Sequence, residues 1–195
     1  MKSFFLSLCF LLTSCGYLAG KGDISSPISM NVPYVKGDKD GMLTAELICN
    51  VSSTGCFSYE KTSHRILRVD ITDLGNEQIG YRRDRHRDGS IKKNVKATEG
   101  REKIAVNVSI YDENKGEVIW GPFSFQSDVD YDYVDQDSLQ DLSFIDSGGN
   151  RQTVLAFSLG QLESIESAKD AALLPLYRSL AKKIAEALTG SVDKL

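Results

Sequence analysis

Ile104, Val106, Val108 and Ile110 occupy every second position of an otherwise small or polar run. Period two is the mark of a strand with one buried face, because successive side chains of an extended chain point to opposite sides. The run ends at Asp112-Glu113-Asn114-Lys115-Gly116, residues that favour a tight reversal. Apolar character resumes at Val118 and brings Trp120, Phe123 and Phe125. Together these pieces predict an antiparallel hairpin, and any fold of this chain has to cover one face of it.

The remaining elements are placed around that hairpin. Ile28, Met30, Val32 and Tyr34 alternate in the same way, with Pro33 marking an end or an edge. Residues 42–51 read as a short helix with Leu43, Leu47 and Val51 on one side and Gly55 as its stop. Residues 64–74 read as a strand closed by Gly75-Asn76, and a further strand starts at Ile79 and runs into charge at Arg82. Residues 128–149 are acidic and aromatic without a clear repeat, and are expected to form a surface loop. Near the C-terminus Leu173, Tyr177, Leu180, Ile184 and Leu188 make one helical stripe, with Arg178, Lys182 and Glu186 opposite. Pro175 requires that helix either to kink or to begin near Asp170 with one hydrogen bond missing. The order predicts an α+β fold, an antiparallel sheet of about four strands with two helices packed on one face.

The N-terminus is not part of that fold. Lys2 is followed by an apolar run over residues 4–12, interrupted only by Ser7. It is far shorter than the roughly 20 residues a membrane-spanning helix needs. Leu12-Thr13-Ser14-Cys15 then resembles the lipobox of bacterial lipoproteins, in which small residues precede a cysteine acylated on its sulfur. The expected layout is a removed signal over residues 1–14, a polar tether over residues 15–26 and one α+β domain over residues 27–190. Cys15 is expected to carry a palmitate-type lipid, the only anchor that the sequence shows. By resemblance to enterobacterial sorting, Gly16 rather than Asp after the cysteine favours the outer membrane, facing the periplasm.

Charge and cysteine narrow the classes of partner. The formal net charge is −4, which does not suggest a nucleic-acid binder. It is unevenly distributed, however. Residues 61–103 hold twelve Lys and Arg against seven acids, whereas residues 112–146 hold one Lys against ten acids. Either the chain presents two electrically distinct surfaces, or the two segments fold side by side and neutralise each other. Within the first lies Arg82-Arg83-Asp84-Arg85-His86-Arg87, followed by Lys92, Lys93 and Lys96. Arginine forks suit phosphate oxygens; the other reading is a solvated hairpin tip. Cys49 and Cys56 remain after the leader. They form a disulfide if the chain turns between them, or stay as two buried thiols.

No nucleophile elbow, phosphate-binding glycine loop or metal-spaced histidine pair is present, so the expectation is no enzyme, no cofactor and no metal site. The aspartates near 130 lack the spacing and glycine of a calcium loop.

Several short patterns, taken in order, carry a family resemblance. Gly16-Tyr17 follows the lipobox, and Val32-Pro33-Tyr34 ends a strand. Gly41-Met42-Leu43-Thr44-Ala45-Glu46-Leu47 then opens a helix. Residues 101–108 (REKIAVNV), Tyr111-Asp112, Gly116 and Val118-Ile119-Trp120 follow, then Leu176-Tyr177-Arg178-Ser179-Leu180-Ala181. Over residues 15–188 this resembles the LptE family of outer-membrane lipoproteins. The resemblance implies helices on an antiparallel sheet and a seat as plug and folding partner inside the LptD-type β-barrel. It also implies a part in lipopolysaccharide transport and outer-membrane assembly, with lipopolysaccharide as a ligand. The acidic stretch after Phe125 and the cysteine pair depart from enterobacterial members. The alternative is a free-standing binding or surface-exposed lipoprotein with a similar sandwich.

Overall fold

In the computed structural model, which describes residues 26–86, 88–134, 143–153 and 164–195, the central alternation lies in a strand longer than its apolar part. Strand β4 spans Lys96–Asp112. Ile104, Val106, Val108 and Ile110 are each at most 1% exposed. It is flanked by β3 (Arg65–Arg82) and β5 (Glu117–Asp132) in an antiparallel sheet of order β3-β4-β5. The β4–β5 turn is held by Asp112, whose Oδ1 accepts from the Asn114 amide at 2.9 Å and the Lys115 amide at 3.3 Å. Gly116 supplies the left-handed residue that closes it, with φ 70°.

Two short strands, β1 (Ile28–Met30) and β2 (Phe57–Tyr59), pair in parallel. The chain after β1 joins β3 through a bridge between Asn31 and Ile66, also parallel. Among the described residues the fold is thus the expected α+β class, with three long antiparallel strands and a small parallel pair beside them. Helix α1 (Met42–Ser53) buries Leu43, Leu47 and Val51 as their spacing predicts. Its start is fixed from upstream. Asp38, 1% exposed, accepts from the Leu43 amide at 3.3 Å and from the Thr44 amide and hydroxyl at 2.8 and 2.7 Å. Those amides would otherwise lack partners in the first turn.

Helix α2 spans Ile165–Thr189, starts well before Asp170 and continues past Pro175, which has no amide to donate to the preceding turn. The Ser164 hydroxyl accepts from the Ser167 amide and caps it. Leu176, Leu180, Ile184 and Leu188 are fully buried, each worth roughly 1.5–3 kcal/mol of transfer from water. Ala168, Ala172, Ala181 and Ala185 beside them let the helix approach its neighbours closely. Both helices and the inner sheet face share one core, whose members among the described residues run from Ile28 to Leu195.

Two expectations need correction. Gly75-Asn76 does not end a strand: Gly75 sits opposite Lys103 and Asn76 opposite Glu102, so β4 supplies the backbone partners that carry β3 on to Arg82. Nor is the acidic stretch all loop. Residues 128–132 complete β5 opposite residues 99–103. Ser143–Ile145 (β6) and Arg151–Thr153 (β7) form a small hairpin around Asp146. Asp146 accepts from the Asn150 and Gly148 amides and from Gln152, and these bonds hold its carboxyl below the usual range. Residues 135–142 lie outside the described residues.

Candidate functional site

The β3–β4 connection carries the basic run, and a buried carboxylate organises it. Asp84 is 4% exposed although cations surround it in sequence. Its Oδ2 accepts from Asn94 Nδ2 at 2.6 Å, its own amide donates to Asn94 Oδ1 at 3.3 Å, and its carbonyl accepts from the Lys92 amide at 2.8 Å. Arg82 reaches the same carboxylate at 3.5 Å and is half-buried there. A second, smaller reversal lies within the loop. The His86 amide donates to the Ser90 carbonyl at 2.7 Å, and Arg85 bridges to Ile91. Asp88 Oδ1 accepts from the Ser90 hydroxyl at 2.6 Å and amide at 2.9 Å. Those bonds, the hydroxyl's first, hold the Asp88 carboxyl below its ordinary pKa.

This geometry sorts the predicted cations. Arg82 is committed to Asp84 and so is a folding residue as much as a binding one. Arg83, Arg85 and Lys93 are exposed, although Arg85 also donates to the Gly89 carbonyl at 3.0 Å. Lys92 is half-exposed. Arg87 lies outside the described residues, as does Cys15. Over residues 82–96 there are seven Lys and Arg against two acids, a net of +5. Both acids are already held by the loop, so the tip is structured and strongly cationic.

Sequence reading missed three apolar members of the tip: Tyr81, Ile91 and Val95, all more than half exposed. Each stands alone with a cation directly after it, which gives no period. Tyr81 and Val95 also border a cavity of about 600 Å³ that reaches Ala97, Tyr133 and Ile165, with Lys96 and Glu166 among its polar lining.

No family model matches the chain, and no curated protein matches it significantly. Solved structures do resemble it. One is the minor lipoprotein from Acinetobacter baumannii, at 13% identity over 85% of this chain and 95% of that one, TM-score 0.48. A second is rare lipoprotein B from Shewanella oneidensis, at 12% identity over 84% and 95%, TM-score 0.45. A third is the uncharacterized lipoprotein B from Nitrosomonas europaea, at 11% identity over 88% and 87%, TM-score 0.45. Each of these three is a bacterial lipoprotein.

Away from the tip, the two oppositely charged segments do fold side by side. Arg101 on β4 binds Asp130 and reaches Asp128 at 3.6 Å, both on β5; within the first segment Lys103 meets Glu77 on β3 at 2.7 Å. On the inner face Glu102, 6% exposed, meets Lys169 at 3.7 Å and the Tyr131 hydroxyl at 3.5 Å. Burial, then the charge of Glu102, pushes the Tyr131 phenol upward. Cys49 is exposed on α1 and Cys56 is buried after it, both as free thiols.

Proposed function

We propose that the chain is a lipid-anchored, non-catalytic subunit of lipopolysaccharide assembly at the outer membrane. In this reading it sits in an LptD-type β-barrel and offers the β3–β4 tip to phosphates of the glycolipid. The anchor rests on the apolar run and lipobox that end at Cys15. The observation that carries the reading is the separation of the domain's two ends. The chain enters the sheet at β1, joined to the start of β3, and the cationic tip follows the far end of that 18-residue strand. At about 3.3 Å per residue the strand between them has a contour length of at most about 55 Å, shortened by its bulges. Such a length is on the scale of a bilayer's thickness, about 40–45 Å. A lipid held in the periplasmic leaflet thus leaves the tip long enough to reach the other side through a barrel lumen.

The test is a gentle-detergent pull-down of the tagged, acylated protein from native membranes. A large β-barrel that co-purifies supports the reading, provided that Cys15→Ala releases the protein from the membrane fraction. Recovery of the protein alone, with lipopolysaccharide assembly intact after its depletion, contradicts it and favours the free-standing binding lipoprotein.

A further inference from the structure

Tyr81, Ile91 and Val95 are 59%, 56% and 60% exposed on the tip. Their sequence neighbours include Arg82, Lys92, Lys93 and Lys96. The loop's own folding does not account for them, because Asp84, Asn94 and backbone hydrogen bonds close it. A single exposed apolar side chain needs no explanation. Tyr81, near the end of β3, and Ile91 and Val95, on the loop after it, stand exposed among cations, the combination that an interaction surface uses. Tyr81 and Val95 are close enough to share the rim of one cavity, and Ile91 lies in the bridge with Arg85 at the loop's outer turn.

That pattern has a specific chemical complement. An anionic bilayer surface offers phosphates to guanidinium and ammonium groups, and below them an interface that takes aliphatic and phenolic side chains. A soluble phosphate would use the cations and leave Ile91 and Val95 in water. We propose that the tip docks on an anionic lipid leaflet, with Ile91, Val95 and Tyr81 entering the interface and Arg83, Arg85 and Lys93 pairing with headgroup phosphates. The inference rests on the phosphate-binding reading of the tip and adds that the phosphates belong to lipid packed in a leaflet. Asp88 is an exposed carboxylate beside these groups, outweighed by the net charge of +5 over residues 82–96.

The experiment uses residues 26–195, which contain every core residue among the described ones and no lipid. The protein is co-sedimented with vesicles of phosphatidylcholine alone or mixed with phosphatidylglycerol, with glycerol phosphate as a soluble competitor. The unsubstituted protein binds only the mixed vesicles, and glycerol phosphate at matched phosphate concentration does not displace it. The double variant Ile91→Ser, Val95→Ser keeps its urea midpoint, because both positions are exposed, and loses about tenfold in partitioning. The triple variant Arg83→Ser, Arg85→Ser, Lys93→Ser loses binding. An aliphatic variant that binds as well as the unsubstituted protein, full displacement by glycerol phosphate, or no vesicle binding at all overturns the leaflet proposal. Cation substitutions without effect overturn the underlying phosphate reading.

Discussion

Arg101 and Asp130 face each other across β4 and β5 in a two-pronged ion pair, with Nη2 to Oδ2 at 2.8 Å. The hydrogen bond to Arg101 holds the Asp130 carboxyl below its ordinary pKa, and the same bond raises that of the guanidinium. A depressed folded-state pKa contributes stability that is complete above the unfolded value of about 3.9 and is lost as pH falls through the folded one. Asp130→Asn should therefore lower the urea midpoint slightly near neutral pH. The gap should narrow as pH falls below the ordinary carboxylate range, and shrink with salt because both groups are in water. An equal gap in both pH ranges would contradict the pairing.

Asp38 should be worth more than its distance from the helix in sequence suggests. It satisfies two amides and a hydroxyl at the start of α1 while almost fully buried. Asp38→Ala should cost about 2 kcal/mol in urea unfolding, in the range of lost helix caps and stranded buried donors. Asp40→Ala, at an exposed position two residues on, should cost under about 0.5 kcal/mol. Equal costs would remove the capping account.

The stripe on α2 predicts a sharper contrast. Leu180 and Ile184 are 0% exposed, and Lys182 between them is exposed. Leu180→Asp or Ile184→Asp places an unpaired carboxyl in the core and should cost at least about 3 kcal/mol. Lys182→Asp should stay within about 0.5 kcal/mol. Circular dichroism during urea unfolding measures all three, and similar losses would mean that the stripe does not face the core.

The two thiols should separate by reactivity. Cys49 is exposed and Cys56 is buried, so an alkylating reagent should label Cys49 in the native protein and Cys56 only on unfolding. A peptide map of periplasmic material with Cys49 linked to Cys56 would contradict this.

The parts of the fold legible in the sequence are those with a local period. Leu43, Leu47 and Val51 repeat every four residues, and Ile104 to Ile110 every two, and both sets are core. What was not legible depends on a distant partner. Gly75 and Asn76 have the composition of a turn, yet β4 pairs with both and holds them extended. Asp128, Asp130 and Asp132 alternate with Val129, Tyr131 and Tyr133, a period-two signal that their charge disguised. At the site, the arginine run was visible, and its folding was not. Asp84 reads as one acid among cations, and only its hydrogen bonds to Asn94 show it to be the loop's organising group.

That sorting changes which residues test the central claim. Arg82 supports Asp84, so removing it would confuse folding with binding. Arg83 and Lys93 are exposed, and Arg85, also exposed, gives the loop a solvent-exposed hydrogen bond to the Gly89 carbonyl, so all three can be changed with the Asp84–Asn94 network intact. The most direct measurement is lipopolysaccharide binding by the protein and by its Arg83→Ser, Arg85→Ser, Lys93→Ser variant over a range of salt concentrations. The account predicts binding that weakens with salt, because exposed charges are screened over about 8 Å at physiological ionic strength. It also predicts that the variant loses most of this binding while its unfolding midpoint stays unchanged. A variant that binds lipopolysaccharide as tightly as the unsubstituted protein, at every salt concentration, would contradict it.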